Sequence, residues 1–220
     1  MLEPRPSSAL VVLPSPDPGG SGGSERRRSA PWKWQLANAV RSASELSARV
    51  QLTPEELAGA ERSERQGFPF GITPYYLSLV DPLDAACPIR RQVVPHRLEG
   101  ETTRGDLVDP LGEEAHEVAP DLVQRYPDRA LVLATDRCAV YCRFCTRTRM
   151  VGGGSGTRSR EHLGRAFDYL AAHPEIRDVI VSGGDPLTLA TERLVQVVAG
   201  LRAIESIETI RLATRVPVVL

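Results

Sequence analysis

From Ala130 onward the chain repeats one unit: a short apolar run, a loop rich in cysteine or glycine, then an amphipathic stretch. The apolar runs are ALVLAT (130–135), DVIVS (178–182) and TIRLAT (209–214). Between them Leu163, Ala166, Phe167 and Leu170 recur at i, i+3, i+4 and i+7, and Leu194, Val197, Val198 and Leu201 repeat the pattern. That spacing puts apolar side chains on one face of a helix. Strands alternating with helices predict parallel β/α units, in which sites gather at the C-terminal ends of the strands. TDRCAVYCRFCTRTRM (135–150) and GGDP (183–186) both follow predicted strands, so both are expected on one rim. Three parallel strands and two helices cannot close a barrel. The stretch therefore reads either as a small open sheet or as the front part of a longer protein, and the second reading is preferred.

Upstream the pattern is less regular. Residues 1–30, rich in Pro, Gly and Ser, read as a disordered leader. From Trp32 to Arg65 the pattern is helical, and Thr53-Pro54-Glu55-Glu56 is a capping box with proline at the first helical position. Residues 67–129 are punctuated by proline and are expected to wrap over the larger unit without a core of their own. The expected organisation is thus a leader (1–30), a helical and irregular N-terminal region (31–129) and an incomplete α/β unit (130–220).

A net charge of −1 gives no electrostatic reason to expect nucleic acid or an anionic membrane as a partner. No segment approaches the roughly 18 consecutive apolar residues of a membrane span. The run ALVVL is too brief for a signal peptide. A cytoplasmic location is the expectation, and there cysteines stay reduced.

Three of the four cysteines, Cys138, Cys142 and Cys145, fall within eight residues, among Arg137, Arg143, Arg147 and Arg149. Three core cysteines would not be expected on an arginine-flanked loop. A disulfide is disfavoured by compartment. Zinc would want a fourth ligand, and His96, His116, His162 and His173 show no ligand spacing. An iron–sulfur cluster fits best: three thiolates hold three irons of a 4Fe–4S cube, nearby positive charge offsets the anionic cluster, and one iron stays open.

C-x3-C-x2-C after a first strand, with Phe144 before the last cysteine, resembles the radical S-adenosylmethionine (SAM) superfamily, as does GGDP after the second strand. ITPYYLSLVDPLDAACPIRRQVVP, VDPLGEE, RYPDRALVLATDRC, YCRFCTRTR, PEIRDVIVSGGDPL and RVPVVL together resemble the lysine 2,3-aminomutase family, from about Trp32 to the last residue. The resemblance implies a partial (β/α) barrel of radical SAM type. It also implies an isomerase that moves an amino group from C2 to C3 of an amino acid, using a 4Fe–4S cluster, SAM and pyridoxal phosphate (PLP). Related members act on glutamate, or on a lysine of translation elongation factor P, and these motifs do not separate the substrates.

By the same resemblance Cys138, Cys142 and Cys145 are the cluster ligands. Ser182, Gly183, Gly184 and Asp185 would meet SAM; the alternative for Asp185 is a helix N-cap. Arg125, Tyr126 and Arg129 would hold PLP, or else the arginines are surface ion-pairing residues. Arg147 would grip the substrate carboxylate. An electron donor such as flavodoxin or ferredoxin is implied, and a homo-oligomer is left open. The chain's one lysine, Lys33, lies far upstream, whereas the family's PLP lysine belongs to a C-terminal portion not matched here. Cluster and SAM binding without completion of the reaction is therefore expected. Cys87 reads as a buried free cysteine. A radical SAM enzyme without PLP and an inactive cluster-binding fragment are the alternatives.

Overall fold

The computed structural model describes residues 31–65, 68–153 and 158–220. The expected leader lies outside them, as does part of the glycine run after Val151.

Three helices open the described chain: α1 (Pro31–Ala37), α2 (Ala43–Ser47) and α3 (Pro54–Arg65). The capping box is present. Thr53 N donates to Glu56 Oε2 at 2.8 Å, and Glu56 N donates to Thr53 Oγ1 at 3.2 Å, so two amides of the helix start are satisfied reciprocally. Two short helices follow, α4 (Pro74–Ser78) and α5 (Arg90–Val93), with 3-10 turns at Arg97–Gly100 and Glu114–His116.

The sheet has five strands in chain order: β1 (Glu117–Ala119), β2 (Leu122–Tyr126), β3 (Arg129–Thr135), β4 (Asp178–Gly183) and β5 (Thr209–Leu212). The three expected strands are β3, β4 and β5, and they run parallel. The amphipathic stretches form α6 (Arg160–Ala172) and α7 (Thr191–Arg202), and Val216–Val219 adds a last turn, α8.

Two corrections apply upstream. Residues 117–126 are not irregular: β1 and β2 add an antiparallel ribbon to the sheet, and RYPDR is the tight turn from β2 into β3. Proline at 120 and 127 masked the pattern, because both sit in turns outside the paired residues. Nor does the stretch 67–129 pack only on the α/β unit: it shares a core with the helices before it. Val40, Leu46, Val50, Phe70, Ile72, Tyr76, Leu77 and Val93 form a buried cluster that also takes in Ala139, Val140 and Val219.

Alternation along the strands separates the two faces of the sheet. Ala130, Val132, Ala134, Val179 and Val181 pack on Leu163, Ala166, Leu170, Val197 and Leu201 of α6 and α7. On the other face stand Arg129, Leu131 and Leu133 of β3 and Asp178, Ile180 and Ser182 of β4, in matching register. That second face carries the site. The sheet is open, and no described helix is long and apolar enough to cross a membrane.

Candidate functional site

The cysteine loop leaves the end of β3 and is pinned at close intervals. Ala139 and Val140, between the first two cysteines, are buried in the N-terminal core. Tyr141 N donates to Gly71 O at 3.2 Å, and Arg143 N to Gln92 O at 2.8 Å. The arginines act as staples as well as fixed charge. Arg143 donates to Pro69 O at 2.9 Å and pairs with Glu99. Arg149 pairs with Asp109 at 3.2 Å and Glu114 at 3.0 Å, and Arg147 with Glu113 at 2.7 Å. Each of these three thus ties the loop to the N-terminal region. C-x3-C-x2-C is in this way held by residues outside the strand that launches it.

The three thiols are free and half-buried. Burial pushes Cys138 well above the ordinary thiol range, reinforced by the charge of Asp185 and by the neighbouring Cys142 and Cys145. Burial also raises Cys145, although the Arg147 backbone amide, 3.3 Å from its sulfur, opposes this. Arg215 donates to the Cys142 sulfur. Among the described residues no three His, Cys, Asp or Glu side chains converge tightly enough to hold a single metal ion. The donor set, three neighbouring thiols with guanidinium and amide donors, suits a cluster that gives each thiolate its own iron.

The GGDP turn lies against the start of this loop. Gly184 N donates to Thr135 O and Asp185 N to Arg137 O, both at 2.7 Å. Gly183 has φ +109, and a Cβ there would stand 2.3 Å from Thr135 O; at Gly184 a Cβ would stand 2.2 Å from Arg137 O. Only glycine allows both the backbone conformation and the close approach. Gly183→Ala is expected to cost more than about 1 kcal/mol, measured as a lower urea midpoint with an unchanged m value.

The capping alternative for Asp185 is realised, on a 3-10 turn. Asp185 caps Pro186–Thr188 by accepting from Leu187 N at 3.0 Å. It also accepts from Thr214 Oγ1 at 2.6 Å, Arg215 N at 2.7 Å and Val216 N at 3.2 Å. Its carboxylate therefore joins the loops after β4 and β5, and the expected rim is drawn together by it.

The second group of expected residues meets in one cavity of about 210 Å³ on the open face of the sheet. Arg125, Tyr126, Arg129 and Arg147 line it together with His116, Glu113 and Ile180. Arg129 Nε donates to Asp178 Oδ2 at 2.8 Å, an aspartate that also receives Arg211 at 2.8 Å. Arg125 Nη1 donates to Leu111 O at 3.2 Å. Arg147 spans from this cavity to the end of β4, just before the GGDP turn, with Nη1 3.4 Å from Ser182 Oγ. The RYPDR residues stand at the start of β3, opposite the cysteine loop at its end, and Arg147 reaches back toward them.

Sequence reasoning overlooked three residues. Glu113 neutralises Arg147, and its only signal was an acidic pair in VDPLGEE. His116, set aside with the other histidines for want of ligand spacing, lines the cavity with its Nδ1 2.7 Å from Gly112 O. Arg215 joins Cys142, Tyr76 Oη at 3.1 Å and Gln92 Oε1 at 3.0 Å. It follows β5 at the C-terminal end, so the rim argument applied to the third strand would have found it. Cys87 is buried and free as expected. Lys33 lies by the Trp32 ring, 5.5 Å from its centroid, and does not line the cavity.

No protein-family model matches the chain. Curated relatives do. The chain is 42% identical over 189 residues to L-lysine 2,3-aminomutase of Clostridium subterminale, covering 86% of this chain and 45% of that protein. It is 43% identical over 188 residues to L-lysine 2,3-aminomutase of Bacillus subtilis, covering 86% and 40%. It is 39% identical over 184 residues to glutamate 2,3-aminomutase of Clostridioides difficile, covering 84% and 43%. The chain spans about half the length of the curated relatives it matches.

Proposed function

Because 86% of this chain aligns within the lysine 2,3-aminomutase family, to which it belongs, we propose that it is the cluster- and SAM-binding portion of an amino acid 2,3-aminomutase. The observation that carries this reading is the span of Arg147, one guanidinium shared by the cavity of Arg125, Tyr126 and Arg129 and by Ser182, the β4 residue just before the GGDP turn. A site for an amino acid held on PLP and a site for SAM would then lie within one side chain of each other. The barrel of radical SAM type is part of the proposal, with β3, β4 and β5 as its first strands.

When bound, the 4Fe–4S cluster, SAM and PLP supply the one-electron and carbanion- or radical-stabilising chemistry that protein side chains lack. Cys138, Cys142 and Cys145 would hold the cluster. Gly183 and Gly184 allow backbone groups to approach SAM, with Ser182 and Asp185 at the two ends of the turn. Arg125 and Arg129 offer fixed forks suited to a phosphate, and Tyr126 a ring to lie against PLP. Arg147 binds the substrate carboxylate. Leu131 and Ile180, both half-buried, give the cavity an apolar wall beside its charged residues. An electron donor of the flavodoxin or ferredoxin kind and a cytoplasmic location complete the reading.

The test is cofactor loading of the chain. After anaerobic reconstitution with iron and sulfide, broad visible absorbance and an EPR signal that changes on SAM addition are expected. PLP is expected to bind, with Arg125→Gln plus Arg129→Gln weakening it at least about tenfold, the scale of losing charge-assisted contacts. Cluster formation with no PLP binding, in a chain extended through the family's C-terminal PLP lysine, would favour a radical SAM enzyme that does without PLP.

A further inference from the structure

Arg147 presents two edges, and one is already filled. Glu113 Oε1 accepts from Nε at 2.8 Å and from Nη2 at 2.7 Å, and Oε2 lies 3.1 Å from Nε. This closes the side edge of the guanidinium. The end-on edge, Nη1 with the second hydrogen of Nη2, is left toward the cavity and Ser182. Glu113 is itself buried, 6% exposed, and cannot swing into water without losing these bonds.

The turn that carries Glu113 is also fastened. Asp109 Oδ2 accepts from Glu114 N at 2.8 Å, and Arg149 pairs with Asp109 and Glu114 and lies 3.6 Å from Glu113. Glu113 is therefore a rigid counter-ion. A free arginine must lose side-chain freedom to bind a ligand, and one already held in a fork does not.

We propose that Glu113 is a positioning residue that orients Arg147 to take a ligand carboxylate end-on, through Nη1 and Nη2, between the cavity and the GGDP turn. This rests on the reading of Arg147 as the carboxylate-binding group. With its charge balanced by Glu113, Arg147 adds no net charge to the cavity. The pair then suits a zwitterionic amino acid, whose own ammonium accompanies the carboxylate, better than a simple anion.

The test is an NMR titration of the 15N-labelled chain with L-lysine and with L-lysinamide, which lacks the carboxylate. Glu113→Gln is expected to raise the Kd for L-lysine about tenfold, the scale of one immobilised long side chain, and to leave L-lysinamide unchanged. Glu113→Asp, which keeps the charge on a shorter stem, should restore most of the affinity; it also carries the comparison if the glutamine variant fails to fold. In an Arg147→Gln background the Glu113→Gln change should add nothing, because the two act as one unit. Equal or tighter L-lysine binding by a folded Glu113→Gln chain would overturn the proposal, as would an equal loss for both ligands. If Arg147→Gln alone leaves L-lysine binding unchanged, the carboxylate reading of Arg147 fails, and this inference with it.

Discussion

Replacing Cys138, Cys142 or Cys145 with alanine, one at a time, is expected to abolish the visible absorbance gained on anaerobic reconstitution and to leave iron well below the wild-type content. Three thiolates are the whole protein ligand set of the proposed cluster, so each removal takes the ligand from one iron, and the arginine and amide donors around the loop cannot replace it. Folding should change little. The loop is anchored by Ala139 and Val140 in the N-terminal core and by Arg143 on Glu99 and Pro69 O, all of which the substitutions spare. Cys87→Ala provides the contrast: it lies in DAACPIRR, outside the motif, and should reconstitute fully. Iron and absorbance retained by all three alanine variants would sink the cluster assignment.

Loss of the Glu56 carboxylate is expected to have the largest effect on folding. The Arg90 side chain is completely buried. It donates to Glu56 Oε1 from Nε at 2.9 Å and to Oε2 from Nη2 at 2.6 Å. It also donates to Gln51 O at 2.7 Å, Pro82 O at 3.2 Å and Asp81 O at 3.3 Å. One guanidinium therefore ties α3, the turn before it, the loop at 81–82 and α5. Glu56→Ala leaves that charge buried without its counter-ion, which costs about 3–5 kcal/mol, a large share of the roughly 5–15 kcal/mol of a native domain. Urea unfolding measures it; a loss under about 1 kcal/mol would show that the pair is dispensable.

The same pair implies a pH dependence. Burial alone would raise the Glu56 carboxyl, but hydrogen bonds from Arg90 and Thr53 outweigh it and hold the group below its ordinary value of 4.5. A depressed folded value means that this contribution is fully present above the unfolded value and fades as pH falls through the folded one. Unfolding midpoints followed from pH 6 downward should therefore fall more steeply for wild type than for Glu56→Gln.

How legible the protein was in its sequence varied by element. The helices α6 and α7 announced themselves by period and the strands β3 to β5 by short apolar runs, because the apolar residues of each pack into one layer. The β1–β2 ribbon did not. It is only three and five residues long, its prolines fall at its turns, and antiparallel pairing there depends on an existing β3 edge. The rim was legible too, since loops following parallel strands must emerge on one side. Arg143 and Arg149 looked like charge balance, and their roles as staples depend on Glu99, Asp109 and Glu114, whose proximity follows from the path of the N-terminal region.

By itself the sequence determined the α/β rhythm, the adjacency of the cysteine loop and the GGDP turn, and the family. These depend on local periodicity and on short motifs whose spacing is set by the backbone. Only the tertiary structure decided that Arg125, Tyr126 and Arg129 share a cavity with Arg147, that Glu113 fills one edge of that arginine, and that Asp185 joins the loops after β4 and β5. Those contacts link residues up to several strands apart. Nothing in a residue's neighbours along the chain encodes which distant carboxylate will stand within 3 Å of a given guanidinium; the path of the N-terminal region past the cysteine loop, fixed by their shared core, does.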